Sequence, residues 1–176
     1  FIVGVGIPTL YYASGRLDAG ADKITVNSAA VKRPELISEI AGRYGSQFVV
    51  VAIDARMAED GIWHVTTHGG TRFSDRELFT WALQAQEAGA GEIMFTSMNH
   101  DGTRHGYPCE TFSRLASTVS IPIIASGGAG CVDDIAEVLT AGQADAALAA
   151  SIFHFGEITV KELKQQLSAK NIPVRL

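Results

Sequence analysis

Cysteine is scarce in this chain: Cys109 and Cys131 are the only two in 176 residues. Two isolated thiols make no disulfide framework and lie in no ligand-spaced cluster, so neither a stapled secreted fold nor a zinc site is expected. They suit a reducing compartment, and the expected location is cytoplasmic. Positive charge is also short. Against 19 Asp and Glu stand 14 Lys and Arg, for a net charge of −5. No basic stripe interrupts this balance, which argues against nucleic acid as the main partner. No apolar run reaches the roughly 18 residues of a membrane-spanning helix. The five histidines, His64, His68, His100, His105 and His154, fall in no metal-ligand spacing. What the chain does have is 47% hydrophobic residues and 18 glycines, the balance of a globular α/β protein with one real core.

The most informative stretch is IPIIASGGAG, residues 121–130. Its branched apolar residues Ile121, Ile123 and Ile124 suit a parallel strand covered on both faces. Ser126, Gly127, Gly128 and Gly130 follow at once, and a helical pattern starts near Val132. Glycine there lets the backbone approach a ligand closely, and a strand–glycine turn–helix arrangement favours anions. An ordinary tight βα turn would read the same way. The arrangement occurs twice, however. Gly4-Val5-Gly6 also follows a short apolar run, and DAGADKITVNSAA (18–30) repeats as TAGQADAALAASI (140–152), with Gln143 as one extra residue. The offset of about 120 residues is too long for a solenoid unit and suits a duplicated half-domain. Two glycine turns, each with a downstream small-residue turn at Asn27-Ser28 or Ala150-Ser151, point to two anion sites and a bisphosphate ligand.

Taken in order, the sequence predicts alternating strands and helices. Strands are expected over 1–5, 23–26, 48–53, 92–96, 121–125 and 144–149. Helices are expected over 8–17, 34–44, 109–117 and 132–140. Residues 58–72 interrupt the alternation with a short strand over 62–66 and a hairpin turn at Gly69-Gly70. Ser74-Asp-Arg-Glu77 reads as a capping box opening a helix through Ala88, and Thr159 to Glu162 as another opening the last helix. Alternation of this kind means a parallel sheet. An open doubly wound sheet would satisfy it, but the half-repeat favours a TIM (βα)8 barrel, here about six βα units corresponding to strands 3 to 8. Residues 1–176 are read as a single barrel domain. The opening Phe1 sits inside an apolar strand without a lead-in, which is expected of a domain incomplete at its N-terminus.

Ligands of parallel α/β folds bind at the carboxyl ends of the strands. The polar residues gathered there are Asn27, Ser28, Asp54, Thr96, Ser97, Asp101, Thr103, Ser126 and Ser151. Asp54 ends the run VVVAI, too apolar for a surface strand, so its carboxylate is expected at the rim of the core. It is either a turn residue or a general acid or base whose pKa is lifted by partial burial. Asp101-Gly102-Thr103 either caps a phosphate loop or supplies a second carboxylate.

The segments ADKITVNSAAV, VVVAIDAR, GAGEIMFTSMNHDGTRHGY, IPIIASGGAG and ADAALAASIFHF together resemble the cyclase subunit of imidazole glycerol phosphate synthase, from that family's third barrel strand to its end. The resemblance implies a TIM-barrel lyase of histidine biosynthesis. It would combine ammonia with a phosphoribulosyl-formimino-aminoimidazole carboxamide ribotide, giving imidazole glycerol phosphate and aminoimidazole carboxamide ribotide. Ammonia would arrive through the barrel from a glutaminase subunit or fused domain, and neither a cofactor nor a metal is implied. Residue by residue, Asp54 matches one of the family's two catalytic aspartates. The other lies on a first strand that has no counterpart here, so these residues alone are expected to be inactive, and the two outer strands are expected to pair with another polypeptide. Asp101 is the remaining catalytic candidate. Asn27, Thr96 and Ser126 match substrate-binding positions of the rim. Gly6 and Ser28 match one phosphate site, and Gly102, Gly128 and Ser151 the other. Lys23 and Glu92 match half of the charged ring taken as the ammonia gate, although an ordinary ion pair at the barrel floor would need the same residues. Val5 stands where the family usually has a third glycine, and the helix expected over 8–17 is unlike its usual third helix. Two other readings share these features: the paralogous bisphosphate isomerase of the same pathway, and a non-catalytic or cyclase-like barrel partner of an amidotransferase. ADAALAASIFHF favours the cyclase.

Overall fold

Strand order decides between the two parallel architectures. The computed structural model describes residues 2–4 and 7–175, with every side chain among these except that of Leu17. Its elements are β1 (Ile2–Val3), α1 (Leu10–Asp18), β2 (Lys23–Val26), α2 (Ser28–Lys32), α3 (Glu35–Tyr44), a 3-10 turn (Ser46–Phe48), β3 (Val49–Met57), β4 (Trp63–Thr67), β5 (Arg72–Glu77), α4 (Leu78–Glu87), β6 (Glu92–Ser97), α5 (Cys109–Thr118), β7 (Ile123–Ser126), α6 (Val132–Thr140), β8 (Ala146–Ala147), α7 (Ser151–His154) and α8 (Val160–Ala169). The parallel strands bond in the order β1-β2-β3-β6-β7-β8, with β4 and β5 attached to β3 as an antiparallel hairpin. A doubly wound sheet reverses direction at a switch point, whereas a barrel adds each strand beside the last. This path never reverses. The chain therefore has the α/β architecture of a (βα)8 barrel, in six of its units.

Alternation along the strands sorts their side chains onto two faces. On the helix side Ile24, Val51, Ile53, Ile93, Phe95 and Ile123 are all but inaccessible to water, and they share one core with Leu36, Ile37 and Ile40 of α3, Phe112 and Leu115 of α5 and Ile135 and Val138 of α6. The Phe95 and Phe112 rings meet at 4.9 Å between centroids. The opposite face carries Lys23, Thr25 and then Asn27 along β2 and just beyond it, Val50, Ala52 and Asp54 on β3, Glu92, Met94 and Thr96 on β6, and Ile124 and Ser126 on β7. Asp54, Thr96 and Ser126 lie in register. So one face is apolar at its middle, charged at its amino end and polar at its carboxyl end.

Several elements differ from expectation. The box Ser74-Asp-Arg-Glu77 is strand β5: Phe73 pairs with Thr66 and Arg72 with Thr67, and the Ser74 hydroxyl donates to Val65 O at 2.9 Å instead of capping. The true cap of α4 is Glu77, whose carboxylate accepts from the Thr80 amide at 2.9 Å and its hydroxyl at 2.8 Å. Strand β3 does not end at Asp54 but runs on to Met57, because the hairpin gives its second half an antiparallel partner. Helix α1 starts at Leu10, beyond Pro8, and the last strand is only two residues long. The turns expected after Asn27 and Ala150 are the short helices α2 and α7. Gly6 and Val5, singled out above, lie outside the described residues.

The second capping box forms as expected. The Thr159 hydroxyl accepts from the Glu162 amide at 3.2 Å, and the Glu162 carboxylate accepts from the Thr159 amide at 2.8 Å. Thr159→Ala removes the hydroxyl half and is expected to cost about 1 kcal/mol. A thermal melt should show this as a Tm lower by about 2 to 4 °C. An unchanged melt would mean that α8 is held by the packing of Leu163 and Leu167 alone.

Candidate active site

The carboxyl end of the strands gathers the polar groups. Asp54 on β3 is flanked in register by Thr96 of β6 and Thr66 of β4. The Asn27 side-chain amide donates to Asp54 Oδ2 at 3.0 Å, and the Thr66 hydroxyl donates to the Asp54 carbonyl at 3.1 Å. Burial pushes the Asp54 carboxyl above its usual pKa. Hydrogen bonds from Asn27 and Thr96 pull the other way, and the charge of Asp101 adds to the rise. A carboxyl raised in this way is a candidate for proton transfer. Asn27 Oδ1 is buried and finds no partner among the described residues, which leaves an acceptor for an incoming donor. Asn27 and Asp54 line a cavity of about 350 Å3 together with Gly4, Thr25, Ser28 and Met94.

The residues expected at the first anion site are Ser28 and Gly6. Ser28 lines this cavity, and its hydroxyl accepts from the His68 amide at 3.2 Å, so the tip of the β4–β5 hairpin sits against it. Gly6 lies outside the described residues. The second set comes together fully. Asp101, Gly102, Ser126, Gly128 and Ser151 line one small cavity, of about 50 Å3. The turn after β7 needs its glycines. Gly127 and Gly128 have φ of +87° and +125°, backbone that side-chain-bearing residues rarely adopt. A Cβ on Gly128 would stand 2.1 Å from the Gly106 carbonyl oxygen. The two loops are zipped there by a bond from the Gly106 amide to the Gly128 carbonyl, 2.9 Å long.

Two contributors, Thr66 and Arg104, escaped the sequence reading, and the role of a third, Ser97, went unassigned. Thr66 comes from the hairpin, whose pairing with β3 carries no local signal. Ser97 was noted only as polar, yet its carbonyl accepts from the amides of His100 at 3.1 Å and Asp101 at 2.9 Å, while its hydroxyl meets His100 Nδ1 at 2.7 Å. These bonds shape the loop that carries Asp101. Arg104 lines the second cavity, and only its place in the DGTR run marked it. At the amino end of the same strand face, Lys23 and Glu92 form an ion pair. Among the described residues no three His, Cys, Asp or Glu side chains cluster as metal ligands would. Nor is any described helix long and apolar enough to cross a membrane.

Comparison with known proteins agrees along the whole chain. A family model described as histidine biosynthesis protein matches residues 1–159. The imidazole glycerol phosphate synthase subunit HisF of Phocaeicola vulgatus is 52% identical over 176 residues, which is all of this chain and 70% of that protein. The HisF subunit of Bacteroides fragilis strain ATCC 25285 is 53% identical over 175 residues, covering 99% of this chain and 70% of its own. That of Acidobacterium capsulatum is 53% identical over 176 residues, covering 100% and 69%. With a family match across nine-tenths of its length and relatives more than half identical from end to end, the chain belongs to the histidine biosynthesis protein family, among relatives that are HisF subunits of imidazole glycerol phosphate synthase.

Proposed function

We propose that this chain carries out the cyclase reaction of imidazole glycerol phosphate synthase. Ammonia and the phosphoribulosyl-formimino-aminoimidazole carboxamide ribotide combine, and imidazole glycerol phosphate, aminoimidazole carboxamide ribotide and one water leave. The observation that carries the reading is Asp54: a carboxyl group raised by burial, oriented by Asn27, lining the first cavity in register with Ser126, which lines the second. Forming a C–N bond and closing a ring requires protons to be removed from nitrogen and given to departing groups, which is general acid–base work. Asp54 does this, its carboxyl raised first by burial and further by the charge of the neighbouring Asp101. Asn27, Thr96 and Ser126 orient the substrate. Ser28, with Gly6, holds one phosphate. The backbone of Gly102 and Gly128, with Ser151, holds the other. Residues 1–176 act as six units of one barrel domain in the cytoplasm.

Its relatives are subunits by name, so an assembly with a partner is part of the reading, and the family resemblance suggests a glutaminase subunit or fused glutaminase domain in that place. Lys23 and Glu92 then gate ammonia at the amino end of the barrel. Glu92→Gln is expected to lower glutamine-driven turnover while sparing turnover driven by ammonium salts. Equal losses in both assays would reduce the pair to a structural ion pair.

The whole reading is tested by supplying the bisphosphate and an ammonium salt, without glutamine, to the synthase that carries this chain. Both products should appear in equal amounts. An isomerised bisphosphate with no ammonia incorporated would assign the chain to the paralogous isomerase. No turnover together with intact glutaminase activation would assign it to the non-catalytic partners.

A further inference from the structure

The second cavity poses an electrostatic problem. Its charged lining residues are Asp101 and Arg104, so among the described residues that line it Arg104 is the only cation that could offset the repulsion between Asp101 and a bound phosphate. Yet Arg104 is already engaged. Its guanidinium pairs with Glu157, in the segment between α7 and α8, and reaches the Gly130 carbonyl at 3.5 Å. Its backbone is strained as well. Arg104 has φ of +62°, and Gly130 lies so close that a Cβ would come within 2.2 Å of the Arg104 carbonyl oxygen. A left-handed, side-chain-bearing residue pressed against a glycine persists only where its surroundings hold it, and such residues collect at ligand sites. The Arg104 and Glu157 side chains are each about two-fifths exposed, so their mutual attraction is weak. A dianion in a partly enclosed cavity attracts a guanidinium more strongly, through paired charge-assisted hydrogen bonds.

We propose that Arg104 is the cationic ligand of the second phosphate site, parked on Glu157 at the rim and drawn onto the phosphate when substrate binds. The proposal rests on reading this cavity as a phosphate site. It makes Arg104 a binding residue that sets affinity for that end of the bisphosphate, and Glu157 a competitor that weakens binding.

A competitor and a strap predict opposite results. The amide signals of Gly127 and Gly128 can be followed by NMR in the 15N-labelled protein while inorganic phosphate is added, with the Ser28 amide reporting the first site in the same spectra. Arg104→Ala is expected to weaken phosphate binding at Gly127 and Gly128 by about fivefold, and Glu157→Gln to tighten it by a similar factor, the scale of one exposed charge pair. Binding read at Ser28 should not move in either variant. If Glu157→Gln weakens binding alongside Arg104→Ala, the pair merely ties loops together and the proposal fails. If Arg104→Ala leaves affinity within about twofold of wild type, the cation takes no part and the phosphate site stands without it. If wild-type signals at Gly127 and Gly128 do not respond to phosphate at all, the phosphate reading of the cavity falls, and this proposal with it. Dispersed spectra of each variant report that it is folded.

Discussion

Replacing Asp54 by asparagine is expected to lower kcat by a factor of about 10² to 10³, the range of a lost general acid–base group, while KM changes little. The substitution keeps the shape, and the introduced carboxamide can still accept from the Asn27 side-chain amide through its own carbonyl oxygen. Substrate contacts should therefore survive while proton transfer does not. The raised pKa gives the pH dependence a definite direction. The wild-type rate should change across a pH range above that of an ordinary carboxylate, and this limb should vanish in Asp54→Asn. Stability should move the other way from activity. A carboxyl whose folded pKa lies above its unfolded value binds more protons when folded, so it costs stability as pH rises through that interval. At neutral pH the amide carries no such cost, and the variant should melt no lower than wild type. A variant with near-wild-type kcat would remove Asp54 from the chemistry. One that loses activity and melts much lower would mean that Asp54 serves the fold.

Much of the architecture was legible because it is written locally. Buried strands such as Val49 to Ile53 need continuous apolar residues, and the glycine turn after β7 needs residues that tolerate its φ values. The misreadings share a cause. Ser74-Asp-Arg-Glu77 satisfies a capping pattern, but the hairpin offered Ser74 a better partner in the Val65 carbonyl, nine positions earlier on the neighbouring strand. Cross-strand pairing overrides a local signal, and a single sequence does not display it. The same distinction divides the site. Asp54 and the glycine turn after β7 announced themselves by residue type. The bond from Asn27 to Asp54 spans 27 positions and that from Arg104 to Glu157 spans 53. Such pairs are set by register and loop packing, so only coordinates bring them together.

The second large effect is expected at Gly128. Substitution with alanine should be far more damaging than its single methyl group implies. The residue sits at φ +125°, and the added Cβ would lie 2.1 Å from the Gly106 carbonyl oxygen and 2.7 Å from its carbonyl carbon. Both obstacles are backbone, so no side chain can rotate away. Relief requires the loop carrying Asp101 and Gly102 to retreat from the turn after β7, which breaks the bond from the Gly106 amide to the Gly128 carbonyl. Unfavourable backbone and overlap together make a loss of about 3 kcal/mol or more reasonable, within the range reserved for strain at special backbone positions. If the proposed phosphate site is right, function should suffer beyond stability, because the retreating loop takes its backbone amides away from that site. KM for the bisphosphate should rise at least tenfold, about 1.4 kcal/mol of lost binding, even at temperatures where the variant is fully folded. Gly128→Asp adds a carboxylate facing the same anion and should bind more weakly still. Gly102→Ala provides the contrast. Gly102 also has a positive φ, +75°, but nothing lies within 4 Å of its Cβ position. That variant bears conformational strain without collision and should keep most of its affinity. Equal KM values for Gly128→Ala and wild type would separate the close approach of the two loops from phosphate binding, leaving the glycine to folding alone.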